Sequence, residues 1–390
     1  MGVNLSERKM SRSGIRRRVV HITSVHPRTD TRILLKECAS LAVAGFEVYL
    51  VVADGFPDEI RSGARVVSVR RQAGRLSRMF LSSRAVIQKA LSLDADIYHL
   101  HDPELLPFVA KLKAQGKTVI FDAHEDLPRQ ILSKPYLWAP LKGLVAAFAD
   151  FYETRACRRA DCVVAATPTI RDKFAQKGCK SVDINNFPML DELSPSAMGA
   201  GRQPQVCYIG GISTVRGIRE LVGAMALVKG DVRLALAGNF NEAGLAESLE
   251  AAEGWGRVKN LGWVDRAGIK EVLSESAAGL VTLHPTQAYL DSLPVKMFEY
   301  MSAGLPVIAS KFPLWREIVE GNQCGLCVDP SSPQEIAMAI DYLIANPAEA
   351  LSMGENGRRA VLDKFNWSAE ERKLISLCEK LGSRNTESLS

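Results

Sequence analysis

The sequence predicts an α/β protein of two doubly wound, Rossmann-like domains facing a cleft, with a C-terminal helix packing back toward the first domain. Three observations predict this. Apolar, β-branched runs alternate with helical patterns along most of the chain, as in parallel sheets covered on both faces. The rhythm breaks once, between Asn186 and Gln205, where prolines, glycines and serines gather, and then resumes. A length of 390 residues suits two or three domains. With 47% hydrophobic and 24% charged residues, a mainly disordered chain is excluded.

Taken in order, Arg18–Thr23 reads as a strand and Arg32–Ala44 as a helix stopped by Gly45. Strands follow at Phe46–Val52, Ala64–Val69, Asp96–Leu100 and Thr118–Asp122, with a helix through Leu105–Lys113 between the last two. A second series has strands at Val206–Ile209, Arg233–Ala237, Arg257–Leu261, Gly279–Leu283 and Pro306–Ala309. The last helix is expected to open at Ser368, with Glu371 three residues on as a capping box, and to run Arg372–Leu381. These readings set domains at 16–190 and 206–365, a linker at 191–205 and a closing helix at 366–382.

Net charge is +5, unevenly spread. Residues 1–90 hold 17 Lys/Arg against 7 Asp/Glu, a local +10 that leaves −5 for the other 300. Such asymmetry points the first region at an anionic partner, whether nucleic acid, an acidic substrate or a membrane surface. No recognised nucleic-acid motif accompanies the charge, so nucleic acid is set aside. Eight scattered cysteines suit a reducing, cytoplasmic compartment. The basic start Arg16-Arg17-Arg18 leads into too short an apolar run for a signal peptide. Leu137–Tyr152, the most apolar stretch, is too short and interrupted to span a bilayer.

Ligands of doubly wound sheets bind beyond the carboxyl ends of the strands. Two strand-end segments stand out. In the first, Tyr208-Ile209-Gly210-Gly211 leads through Arg216-Gly217 into a helix. Gly210 and Gly211 allow close backbone approach, the helix start favours an anion, and Arg216 adds a cation with phosphate-matching geometry. In the second, Asp291 precedes a helix carrying Lys296 and Glu299, three apart on one face and closed by Gly304. A cation and two carboxylates at such a turn suit a ligand with phosphates and hydroxyls; the plain alternatives are a tight turn and a surface Lys–Glu pair.

Together these segments resemble the retaining family-four glycosyltransferases of the GT-B fold. The signature there is two glutamates separated by seven residues ahead of a segment like Glu299-Tyr300-Met301-Ser302-Ala303-Gly304-Leu305-Pro306. The resemblance extends to Gly262-Trp263-Val264, Cys324-Gly325-Leu326 and Trp367-Ser368. It covers most of 205–382 closely and the first half more loosely. It implies that Glu299 holds the nucleotide ribose and that Arg216, beside Gly210 and Gly211, grips the donor diphosphate. The family often carries another arginine where this chain has Ile212, and Lys296 is the candidate replacement. Asp291 stands in the slot of the first signature glutamate, on a shorter arm, facing the donor sugar. His124, in Phe121-Asp122-Ala123-His124-Glu125, resembles the family histidine that faces the reacting centre from the acceptor domain; a structural helix-entry role is the alternative. The segment His26–Arg32, with Asp30 and Arg32, and Asp102 after its strand are assigned to the acceptor side.

The resemblance implies sugar transfer from a nucleotide-diphosphate-sugar to a hydroxyl acceptor with retention, metal-independent and without a cofactor, in bacterial surface polysaccharide or glycolipid synthesis. The alternatives are a nucleotide-sugar-binding scaffold without turnover and, less fitting given the incomplete glycine fingerprint, a dinucleotide-dependent oxidoreductase. Partners expected are the donor, a glycan or lipid-linked acceptor, and an anionic membrane surface met through residues 70–90 and 136–152, where arginines interleave with apolar side chains and Tyr136-Leu137-Trp138 offers a wedge. An ordinary helix with a solvated arginine face is the alternative. Three motifs rank lower. Asp94-Ala95-Asp96 precedes a strand rather than ending one. His99-Leu100-His101-Asp102 has metal-like alternation, but no second cluster in the sequence completes a site. Cys324 and Cys327 have redox spacing without a redox context.

Overall fold

The computed structural model describes residues 16–72, 74, 77–133, 139–190 and 204–387. Most of the expected linker and the Tyr136-Leu137-Trp138 wedge therefore lie outside the described residues. The first sheet holds β1 (Arg18–Ile22), β2 (Glu47–Val52), β3 (Glu59–Arg61), β4 (Ala64–Ser68), β5 (Ile97–Leu100), β6 (Thr118–Ala123), β7 (Cys162–Ala165) and β8 (Ser181–Asp183). Its order is β3-β4-β2-β1-β5-β6-β7-β8. Only the β3–β4 pairing is antiparallel among those described. The second sheet holds β9 (Gln205–Ile209), β10 (Arg233–Ala237), β11 (Val258–Gly262), β12 (Ala278–Val281), β13 (Val307–Ser310) and β14 (Gly325–Val328), in the order β11-β10-β9-β12-β13-β14. Each order reverses once, between β1 and β5 and between β9 and β12, and ligands of doubly wound folds sit at such switch points. The fold is the expected α/β pair of doubly wound sheets.

By contacts the chain forms two units. One runs to Asp122 and takes in Arg159–Cys162 and the chain from Leu374; the other is Ala123–Arg158 with Val163–Lys373. Strands such as β1, β6, β9 and β12 are buried almost throughout, which is why they read as unbroken apolar runs instead of alternating ones. In the second sheet one face packs on Phe298, Tyr300, Met301 and Trp315, the other on Ile218, Leu221, Val222, Ile336 and Ile340. Fully burying each such side chain contributes about 1.5–3 kcal/mol.

Several helix starts are set by polar caps. Asp30 accepts from the backbone N–H groups of Arg32 and Ile33 and opens a π-type helix at Thr31–Cys38, continued by Ala39–Val43. The closing helix spans Trp367–Glu387, starting within the expected 366–382 segment and running past its expected end. Its cap is Asn366, whose Oδ1 accepts from the Ala369 N–H at 3.1 Å, so the Ser368 capping box is displaced by the residue two places earlier. Glu370 accepts from the Asn185 N–H at 2.9 Å and Lys373 pairs with Asp183 at 3.1 Å, tying this helix to the end of β8. Further along, the Glu379 carbonyl accepts from Arg17 at 2.9 Å. All eight cysteines are free thiols.

Candidate active site

The site is built from the glycine loop after β9. Gly210 has φ +129°, and a Cβ on it would lie 2.9 Å from Lys296 Nζ; a Cβ on Gly211 would lie 2.5 Å from Asn241 Nδ2. Only glycine leaves room for those side chains to close on the backbone. A short turn, Thr214–Arg216, ends at Gly217 with φ +72°, where a Cβ would stand 2.0 Å from the Thr282 carbonyl. The loop is thereby clamped beside the chain leaving β12, at the switch point, and Ile218–Leu227 continues as a helix.

Two cations converge on this loop. Arg216 Nη1 donates to the Gly211 carbonyl at 3.2 Å, and the Tyr208 and Tyr289 hydroxyls lie in its field. Lys296 comes from the first turn of the helix Val295–Ser302. Its Nζ is buried, makes no hydrogen bond among the described residues, and sits 3.6 Å from the centroid of the Tyr208 ring. A ring face holds a cation but does not neutralise it. Burial first, and Arg216 second, push the Lys296 ammonium well below its ordinary value of 10.5, while Glu299 works weakly the other way. Two cationic side chains are held this close, and among the described residues no hydrogen-bond partner meets the Lys296 ammonium.

That arrangement has a pH signature. The native chain holds its Lys296 proton less tightly than the unfolded chain. Between the lowered native value and 10.5, the unfolded state binds more protons, so stability rises with pH across that window. Wild type is expected to gain thermal stability relative to Lys296→Met as pH climbs toward 10.5. Parallel melting curves for the two proteins would contradict it.

The remaining expected residues divide between exposed and buried placements. Glu299 stands on the same helix as Lys296, but its partner is Arg266, at 2.8 Å. Asp291 is joined to Arg129 at 2.5 Å, both about 40% exposed, so the carboxylate is tethered but open to a ligand. His124 is half-buried in the turn between β6 and the helix Leu127–Ser133. Asp30 is the helix cap described above. Arg32 is buried and ion-paired, its Nη2 2.9 Å and Nε 3.0 Å from the Asp122 carboxylate and its Nε 3.1 Å from Glu37. Asp102 is buried too, accepting from Thr23 and from the Ser24 backbone and pairing with His26 at 2.9 Å, a bond that raises the His26 pKa. Sequence spacing does not reveal Asn241 or Arg266 as members of the site; they follow the neighbouring strands β10 and β11.

The family description "Glycosyl transferases group 1" matches residues 192–360, and "Glycosyl transferase 4-like domain" matches 31–188. The chain belongs to the group 1 glycosyltransferases of the GT-B fold. Among similar proteins, an MMP alpha-(1->4)-mannosyltransferase of Mycolicibacterium hassiacum is 27% identical over 43% of this chain and 40% of its own length. An alpha-D-kanosaminyltransferase of Streptomyces kanamyceticus is 23% identical over 60% of this chain and 64% of its own. The chain thus matches less than two thirds of either relative's length. In fold, this glycosyltransferase resembles sucrose-phosphate synthase from Thermosynechococcus elongatus, with a TM-score of 0.75 at 20% identity over 95% of this chain and 100% of that one. It also resembles Anabaena HepE in complex with UDP-glucose, with a TM-score of 0.70 at 17% identity over 93% and 99%.

Proposed function

We propose that this glycosyltransferase moves a sugar from a nucleoside-diphosphate-sugar to a hydroxyl acceptor with retention of anomeric configuration, in the assembly of bacterial surface polysaccharide or glycolipid. The observation that carries the donor class is the pair Arg216 and Lys296 closed on the Gly210–Gly211 loop, with the Lys296 ammonium lacking a hydrogen-bond partner among the described residues. A diphosphate supplies that partner. As the bond from the anomeric carbon to the leaving phosphate oxygen breaks, charge builds on that oxygen, and both cations stabilise it more than they stabilise the ground state. The acceptor oxygen bonds to the anomeric carbon from the same face and its proton passes to the leaving phosphate. Glu299, freed from Arg266, accepts ribose hydroxyls; a carboxylate takes two such bonds. Asp291 meets the sugar, and His124 donates to it from the acceptor side. No step is assigned to a metal or other cofactor.

A thermal-shift screen against UDP-, GDP- and ADP-sugars tests the donor class, since a ligand that binds the native state raises the melting temperature with ln(1 + [L]/Kd). One nucleotide series is expected to shift it; no shift with any of them would refute the reading. Product formation with that donor then separates an enzyme from a binding scaffold.

A lipid-linked acceptor is supported by a surface feature. The helix Ala139–Cys157 exposes Leu141, Leu144, Val145, Phe148, Phe151 and Tyr152, which recur at three- and four-residue spacing on one face. Before the helix Ser83–Ser92, Met79, Phe80 and Leu81 are also exposed, whereas Val86, Ile87 and Ala90 are buried. The apolar part of the 70–90 segment is therefore divided between core and surface. Among the described residues no helix is long and apolar enough to cross a membrane. A stripe of this kind suits insertion into the headgroup region. Wild type is expected to float with anionic vesicles at low salt, and the double variant Phe148→Ser, Phe151→Ser to stay behind. Equal flotation of the two would remove this helix from the docking surface.

A further inference from the structure

The first unit buries three histidines and a glutamate around one point. β1 and β5 are neighbours and pair His21 with His99 in register. Alternation puts His101 on the same face two residues on, and the helix Thr31–Cys38 brings Glu37 over that face. The second cluster that His99-Leu100-His101 lacks in sequence thus comes from His21 and Glu37, which the switch point brings alongside. All four side chains are buried. One ligand atom from each lies within 4.8 Å of every other.

We propose that His21, Glu37, His99 and His101 bind one zinc ion as a closed structural centre. Glu37 Oε2 lies 3.7 Å from His21 Nδ1, 3.7 Å from His99 Nδ1 and 3.9 Å from His101 Nε2; His21 Nδ1 and His101 Nε2 are 2.9 Å apart. Zinc bonds of about 2.0–2.1 Å in a tetrahedron place neighbouring ligand atoms about 3.3–3.4 Å apart. The observed spacings bracket that value, so small side-chain movements complete the shell.

The surroundings are those of an oriented site. His101 Nδ1 is 3.2 Å from Asp122 Oδ2, so the carboxylate holds the proton on Nδ1 and leaves Nε2 as a lone-pair donor. That carboxylate–histidine arrangement is the usual second layer of a metal site. Arg32 sits 3.1 Å from Glu37 Oε1, occupying one carboxylate oxygen and leaving Oε2 for the ion. A proton on His21 Nδ1, shared with His101 Nε2, has a place to go on metal binding: His21 Nε2, which makes no hydrogen bond among the described residues, accepts it. Three imidazoles and a carboxylate suit zinc, and four protein ligands leave no open position, so the ion is structural and not catalytic. It enters as the unit folds, and its binding energy becomes folding energy.

The test uses the full chain, purified without a histidine tag. It is refolded with zinc or with EDTA, dialysed, and assayed for metal and melting temperature; cobalt(II) replaces zinc in a third sample. One zinc per chain, a higher melting temperature than the EDTA sample, and the intense visible bands of tetrahedral cobalt are expected. His99→Asn should weaken zinc binding by about 100-fold or more, since changes in the second layer alone cost 10- to 100-fold. Substoichiometric zinc with identical melting curves would overturn the proposal. So would zinc held as tightly by His99→Asn as by wild type, which would place the metal elsewhere. If His99→Asn fails to fold, the wild-type metal content and cobalt spectrum decide.

Discussion

Lys296→Met is expected to slow sugar transfer by about 10²–10³-fold, or ~3–4 kcal/mol of barrier, without lowering the melting temperature of the unliganded protein. The two effects have one cause. In the unliganded chain the ammonium is buried against the Tyr208 ring beside Arg216, with no hydrogen-bond partner among the described residues, so an isosteric neutral side chain removes a poorly compensated charge. Such replacements are neutral or stabilising. Under the proposed function the same ammonium answers the phosphate charge that builds in the transition state, and methionine offers none. Arg216→Ala should slow transfer on the same scale, with some loss of stability because its hydrogen bond to the Gly211 carbonyl also goes. A variant that melts lower but transfers at the wild-type rate would make Lys296 a structural residue.

The second large effect concerns Arg32. Arg32→Ala is expected to destabilise the protein by about 3–5 kcal/mol, because it leaves two carboxylates, Asp122 and Glu37, buried without their cation. For a domain of this size that is a fall of roughly 10 °C in melting temperature. Arg32→Lys should fall between the two, since a point charge cannot reproduce the bidentate contact with Asp122. An acceptor-binding arginine would behave otherwise: the melting temperature would hold and KM for the acceptor would rise. Thermal denaturation of the three proteins separates the two roles.

Arg32 also shows where sequence stops being informative. The segment His26–Arg32 follows a strand and precedes a helix, so position alone sends it to the ligand-binding edge. What draws Arg32 inward is Asp122, 90 residues away at the end of β6, and no local pattern announces that partner. The His21, Glu37, His99 and His101 cluster has the same origin, since its members meet only because β1 and β5 are neighbours at the switch point. The strands, by contrast, are legible because burial on both faces leaves them uniformly apolar. The glycine loop is legible because positive φ and close approach admit one residue type. Glu299 lies between these cases. Its spacing suggests Lys296 as partner, yet Arg266, which opens the helix Arg266–Glu275, reaches it instead and leaves Lys296 to the loop.

The proposed function places a nucleoside diphosphate against Lys296. Calorimetric titration with UDP, GDP and ADP, in two alkaline buffers of different ionisation enthalpy, addresses it directly. A bound diphosphate restores the proton that burial and Arg216 loosen, so wild type should take up protons on binding and bind more weakly as pH rises. Lys296→Met should bind more weakly with no uptake. Equal affinity in both proteins, with no proton uptake by wild type, would contradict the account.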